Sequence, residues 1–258
     1  MIELNKTYNE DCKETMKNCP DNFIDLTVTS PPYDGLRKYS GYSFDFINIA
    51  KELFRVTKKG GVVVWVVGDQ TKDGSESGTS FRQALYFKEC GFNLHDTMIY
   101  EKMNYIPLTH NRYEQCFEYM FVLSKGRPKT FNPILIPCKN AGQMNNHKSE
   151  KHYEDSHSMR KREGDVQVND FKIHPNKFVY TVGSGDRTKH NAPFPEQLAE
   201  DNILSWSNEN DLVYDPFMGS GTVAKMALLN KRNYIGSEIS QEYCDIVVDR
   251  LKKNSLLK

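Results

Sequence analysis

Nothing in this sequence is concentrated enough to name a function from its composition. Six cysteines (Cys12, Cys19, Cys90, Cys116, Cys138 and Cys244) lie scattered with no CxxC pair. That removes the usual signature of a zinc site and fits free thiols better than a disulfide frame. Lys plus Arg number 34 and Asp plus Glu 34, so the net charge is zero and bulk charge points to no partner. No apolar run approaches the roughly 20 residues of a membrane span, so no membrane partner is expected. The polar start MIELNKTYNE carries no signal peptide, and a cytoplasmic location is the expectation. With 258 residues the chain can bury a full core in one domain, or in one domain with a large insertion.

Against this even background one stretch stands out, DPFMGSGT at 215–222. The apolar run Leu212-Val213-Tyr214 before it reads as a buried strand, and 222–229 after it has helical apolar spacing. Gly219 and Gly221 fall at the strand-to-helix turn, where a backbone without Cβ turns tightly and approaches a ligand. Residues 233–238 read as a second strand ending in Glu238, 17 residues after Gly221. That spacing suits a carboxylate accepting hydrogen bonds from ribose hydroxyls. A third glycine and a following lysine are both missing. This argues against a dinucleotide site and a P-loop, and leaves a nucleoside without a phosphate chain. A Gly-rich turn in some other α/β protein fits the same residues.

The N-terminal half supplies the rest of a sheet. Residues 23–29 read as a strand whose last residue is Thr29, followed by Ser30-Pro31-Pro32-Tyr33. Two prolines end the strand and fix the backbone, holding Ser30 and Tyr33 where open α/β sheets place their chemistry. A plain Pro-Pro turn remains the alternative. Residues 43–57 have helical spacing and are expected to close at Lys58-Lys59-Gly60-Gly61. GVVVWVV at 61–67 predicts a central strand buried on both faces. Residues 68–80 predict a polar loop, 81–90 a helix, and 92–101 and 115–124 two more strands. Strands alternating with helices imply a largely parallel sheet covered on both faces.

The pattern stops near residue 125. Residues 139–170 have almost no apolar periodicity and are expected to be functional or disordered. Between 125 and 190 there are 13 Lys or Arg against 7 Asp or Glu, a local excess of +6. A basic insertion suits phosphate-backbone contact, although a solvated loop or a protein-binding segment fits the charge as well. His147, His152 and His157 recur every five residues without a helix pattern, so no metal is expected. Prolines 193 and 195 then introduce a helix from Glu196.

The glycine turn comes late, so the remaining strands must precede it and the chain reads as circularly permuted. SPPY early, a variable basic middle, HxAxFPxxL at 190–198, then DPFMGSGT and an acid-ended strand resemble the β group of DNA amino-methyltransferases of bacterial restriction-modification systems. The likeness covers nearly the whole chain except about 139–170. It implies a Rossmann-like S-adenosylmethionine-dependent fold, mostly parallel, with helices on both faces and an inserted target-recognition region. Residues 1–102 would form the catalytic half, 103–189 the last catalytic strands and the recognition region, and 190–258 the cofactor half.

The resemblance implies roles residue by residue. Asp215, Pro216, Phe217, Gly219, Gly221 and Thr222 would wrap the methionine part of the cofactor, with Thr29 beside them. Glu238 would hold the ribose and Asp11 the adenine amine, although Glu10 replaces the family's usual glycine. His190 and Phe194 would close the other side, and Met218 stands where alanine is common, on the pocket wall. Ser30 and the Pro31 carbonyl would accept from the target amine, Pro32 would fix the loop, and Tyr33 would stack on the base. No metal and no covalent intermediate are needed, and Pro137-Cys138 reads as a chance dipeptide. Serine at the first position goes mostly with N4-cytosine in this family and aspartate with N6-adenine, so cytosine is expected and adenine is the alternative. The expected partner is double-stranded DNA with its target base flipped; a homodimer and a companion restriction endonuclease are partners the family allows. An RNA or protein methyltransferase and a silent binding relative are the rival readings; the permuted order weighs against the former, and the intact motif residues against the latter.

Overall fold

The computed structural model describes residues 2–32, 44–105, 111–147, 164–181 and 195–256. In chain order the elements are β1 (Lys6–Tyr8), α1 (Cys12–Asn18), β2 (Ile24–Thr29), α2 (Phe46–Val56), β3 (Thr57–Val67), β4 (Thr71–Lys72), β5 (Ser75–Glu76), α3 (Thr79–Glu89), β6 (Asn93–Lys102) and β7 (Phe117–Ser124). They continue with β8 (Leu135–Pro137), β9 (Met144–His147), β10 (Gly164–Gln167), β11 (Phe171–Ile173), β12 (Lys177–Tyr180), α4 (Glu196–Trp206), β13 (Leu212–Asp215), α5 (Thr222–Leu229), β14 (Asn233–Ser237) and α6 (Gln241–Lys253). The chain divides into two compact units, one of residues 1–132 with 176–258 and the other of residues 133–175.

The larger unit is built on an eight-stranded sheet in the order β1-β14-β13-β2-β3-β7-β6-β12. β7 runs antiparallel to both its neighbours, and all other pairings are parallel. The α/β, mostly parallel expectation therefore holds, with β7 as the reversed strand. β3 shows why the sheet sits in the middle. Val62, Val64 and Val66 join one core with Leu198 and Ile203 of α4 and Val223 of α5. Val63, Trp65 and Val67 join the other with Met16 of α1, Leu53 of α2 and Phe87 of α3. Each such fully buried aliphatic side chain contributes about 1.5–3 kcal/mol relative to exposure.

The strand order places the last parallel strands beside the first. β13 pairs with β2 through Val213 opposite Leu26 and Tyr214 opposite Thr27. From this seam the chain proceeds outward on one side through β3 and on the other through β14. This is a topological switch point, the place where open α/β sheets bind ligands at the carboxyl ends of their strands.

Three local expectations are corrected. The helix expected over 43–57 ends at Val56, and β3 begins at Thr57 with no loop between them. Lys58 to Gly61 are taken up in a register shift, since Ile24 faces Thr57 while Leu26 faces Val62. The polar loop over 68–80 contains the small hairpin β4–β5. Residues 139–170 are not wholly irregular: in the smaller unit β9 pairs with β10, and β8 pairs with β11 on either side of that span. Periodicity could not show β8 and β11, because their side chains are largely exposed. Leu135, Phe171 and Ile173 are all more than half exposed.

Candidate active site

The site is assembled from strand ends. β13 ends at Asp215 and β2 at Thr29, and Thr29 Oγ1 donates to Asp215 Oδ1 at 2.7 Å. The same oxygen accepts from Phe217 N–H at 3.0 Å, so the aspartate shapes the first step of the turn. Both Thr29 and Asp215 are buried. Burial pushes the Asp215 carboxyl up to about 7; its two hydrogen bonds work against that, and the neighbouring charge of Glu238 adds to it. The bond between Thr29 and Asp215 ties the strand that precedes Ser30, Pro31 and Pro32 to the turn 215–222. Ser30 and Pro32 are half-buried and Pro31 is buried. Tyr33, His190 and Phe194 lie outside the described residues.

The turn itself is held from several directions. Gly219 and Gly221 have φ of 51° and 80°, the left-handed region that glycine enters without penalty. A Cβ on Gly221 would also stand 2.9 Å from Val247 Cγ1 on α6. Gly221 N–H donates to Met218 O at 2.9 Å and closes the turn. Gly219 N–H donates to Glu238 Oε2 at 2.8 Å, which points the turn at the end of β14. Phe217 is half-buried and meets Trp65 and Phe44 edge-on. Pro216 is buried, and so is Thr222, whose hydroxyl accepts from Arg250. Met218 is buried in the core with its side chain against Gly236, in the space where a Cβ would otherwise stand.

Glu238 is the second buried carboxylate, and burial raises its pKa. Its other oxygen, Oε1, accepts from Ser240 N–H at 2.9 Å. Its backbone is fixed by the N-terminal segment, with Glu238 N–H donating to Tyr8 O at 2.9 Å and Asn9 Nδ2 donating to Glu238 O at 3.0 Å. That segment brings Asp11 to the same end of the sheet, while Tyr214 Oη binds both Ser237 Oγ and Cys12 O. Asp11 has a structural duty as well: its Oδ1 caps α1 by accepting from Lys13 N–H at 2.9 Å.

Sequence reasoning missed Asn9, Ser240 and Arg250. Ser240 was open to detection, since a serine ahead of an apolar-periodic run marks a helix N-cap, which is its position on α6. Asn9 and Arg250 act across the fold and leave no local signal. Among the described residues no group of three or more His, Cys, Asp or Glu could hold a metal ion, and no helix is long and apolar enough to cross a membrane.

Residues 24–249 match the family described as DNA methylase, of the N6/N4 type. The chain is 57% identical over 249 residues to the orphan methyltransferase M.BamHII of Bacillus amyloliquefaciens, covering 93% of each chain. It is 28% identical over 255 residues to the type II methyltransferase M.BglII of Bacillus subtilis, covering 94% of this chain and 68% of that one. Among solved structures it is similar to the cytosine-N4-specific PvuII DNA methyltransferase, with a TM-score of 0.71, 22% identity, and 95% and 85% of the two chains covered. It is also similar to M1.HpyAVI in complex with SAM, with a TM-score of 0.64, 23% identity, and 95% and 99% covered.

Proposed function

The chain belongs to the N6/N4 DNA methylase family, and on that premise we propose that it methylates the exocyclic N4 amine of cytosine in duplex DNA. The methyl donor is S-adenosylmethionine. The observation that carries the reading is the Thr29–Asp215 hydrogen bond, because it joins the Ser30-Pro31-Pro32 end of β2 to the glycine turn. Residues 1–102 and 190–258 are assigned to the two halves of the catalytic body. Residues 103–189 are assigned to its last strands and the target-recognition region.

The residues present fit the cofactor. An ionised carboxylate has about four acceptor positions. The Gly219, Ser240 and Ile239 N–H groups draw on the Glu238 oxygens, which leaves acceptor capacity for the ribose. Asp11, whose Oδ1 serves α1, is assigned to the adenine amine. Asp215, Pro216, Phe217, Gly219, Gly221 and Thr222 are assigned to the methionine end, with Thr29 setting Asp215. The bound cofactor supplies a methyl group already activated by its sulfonium.

What remains for the protein is alignment and a better nucleophile. The exocyclic amine of a base is a poor nucleophile because its lone pair is delocalised into the ring. Acceptors that draw on both N–H groups move the nitrogen toward a tetrahedral shape and free that pair. Ser30 Oγ and the Pro31 carbonyl are the assigned acceptors, Pro31 and Pro32 fix the loop, and Tyr33 is assigned to stack on the base. His190 and Phe194 are assigned to the cofactor's other side. In-line transfer then rests on holding nitrogen, methyl carbon and sulfur in register. A paired base cannot enter such a crevice, so the target is flipped out of the helix. Serine at position 30 favours cytosine over adenine by association within the family. The cytosine-N4-specific description of the PvuII enzyme is in keeping with this. The orphan description of M.BamHII is in keeping with activity that needs no obligatory companion endonuclease.

The test is transfer of a labelled methyl group from S-adenosylmethionine to duplex DNA, RNA and protein in parallel. Label in DNA whose rate of appearance falls about 100-fold in Ser30→Ala supports the proposal. Label only in RNA or protein would overturn it.

A further inference from the structure

A buried ion network at the glycine turn goes beyond the motif residues. Arg250, on α6, is only 5% exposed. Its Nη1 donates to Ser220 O at 2.9 Å, Ser220 Oγ at 3.2 Å and Thr222 Oγ1 at 3.1 Å. Its Nη2 donates to Glu196 Oε1 at 2.7 Å. Lys225 of α5 donates to that same oxygen at 2.7 Å. Glu196 is the first residue of α4, directly after Pro195. One carboxylate therefore joins three helices, and one guanidinium joins it to the turn.

We propose that Arg250, charge-paired to Glu196, is a positioning residue that sets the conformation of the cofactor turn. The proposal rests on the functional reading above. Ser220 sits between Gly219 and Gly221, and two flanking glycines offer no Cβ to resist rotation of the peptides they join. The Gly219 N–H must meet Glu238, and the Gly221 N–H must meet Met218, for the turn to keep its shape. Arg250 draws the Ser220 carbonyl into the protein and so fixes the peptide between those two contacts. A guanidinium can do this and hold Glu196 at once because its donors form a rigid fork, whereas a lysine ammonium is a single point charge. Glu196 supplies the charge that a buried arginine requires, and its carboxyl is held below the ordinary range: burial opposes this, but Lys225 and Arg250 outweigh it.

The test is calorimetric binding of S-adenosylhomocysteine to the full chain, alongside thermal melts and steady-state kinetics. Arg250→Lys is expected to weaken binding about 10-fold or more. KM for S-adenosylmethionine should rise with it, while kcat at saturation stays within about threefold. Glu196→Gln, the gentler variant, is expected to weaken binding about threefold through the same contact. The matched control is Arg232→Lys, another buried arginine, whose partners Ser207 and Asn230 belong neither to the turn nor to the assigned site. It should lower the melting temperature and leave cofactor affinity unchanged within about twofold. Folded Arg250→Lys and Glu196→Gln with wild-type affinity would overturn the positioning role. So would equal weakening in Arg232→Lys, which would mean that general softening is the cause. A wild-type chain that binds no cofactor gives a separate signature, and it would remove the functional reading and this proposal together.

Discussion

Asp215→Asn gives a pH-dependent stability change whose sign and size follow from the site. Asp215 is 5% exposed, and burial moves its carboxyl from the ordinary 3.8 to about 7. Between those pH values the unfolded chain has released the proton and the folded chain still holds it. The folded state binds more protons there, so stability falls as pH rises through that window and levels off above about 7. Each pH step costs about 1.4 kcal/mol, so the whole window amounts to about 4 kcal/mol at most. Asparagine keeps an oxygen for the Thr29 and Phe217 hydrogen bonds and carries no charge. The difference in unfolding free energy, variant minus wild type, should therefore rise by about 2–3 kcal/mol from pH 5 to pH 8. Urea unfolding at four pH values measures it, with the denaturant slope checked for constancy. Glu238 is present in both proteins, so its own titration largely cancels. Parallel curves for the two proteins across this range would refute the reasoning.

Three further outcomes follow from the same contacts. Gly221→Ala places a Cβ at 2.9 and 3.0 Å from the two Val247 methyl carbons at a φ of 80°, and should destabilise by about 2–3 kcal/mol in urea unfolding. Adding Val247→Ala should recover the packing part of that loss and leave the backbone part. Glu238→Gln loses a ribose acceptor and should weaken S-adenosylhomocysteine binding about 10-fold by calorimetry. The same variant sets an NH2 against either the Gly219 or the Ser240 N–H, so a thermal melt run beside the titration separates lost binding from lost stability. Ser30→Ala should lower kcat about 100-fold in a methyl-transfer assay with cofactor affinity unchanged.

Much of the catalytic body was readable because its signals are local. The run at 61–67 is apolar at every position, which a strand buried on two faces requires, and β3 has cores on both sides. The stretch from Leu212 to Glu238 carries strand, glycine turn, helix and acid in sequence order, and the structure keeps that order. Contacts made at a distance were not readable. Arg250 and Glu196 are 54 residues apart, and Asn9 and Glu238 are 229 apart, so no window of sequence contains either pair. The packing of Met218 against Gly236, 18 residues on, was likewise not readable from the turn alone. The reversed direction of β7 was hidden too, since an apolar run carries no polarity. The short strands β8 and β11 lack a buried face, which is the feature that periodicity reports.

The most direct measurement of the central claim is the identity of the methylated base. The protein is incubated with S-adenosylmethionine and mixed-sequence duplex DNA, the DNA is digested to nucleosides, and the products are read by mass spectrometry. The account predicts N4-methylcytosine, formed about 100-fold more slowly when Ser30→Ala is used. N6-methyladenine in its place would contradict the assignment of the base while leaving the acceptor chemistry at Ser30 and Pro31 standing.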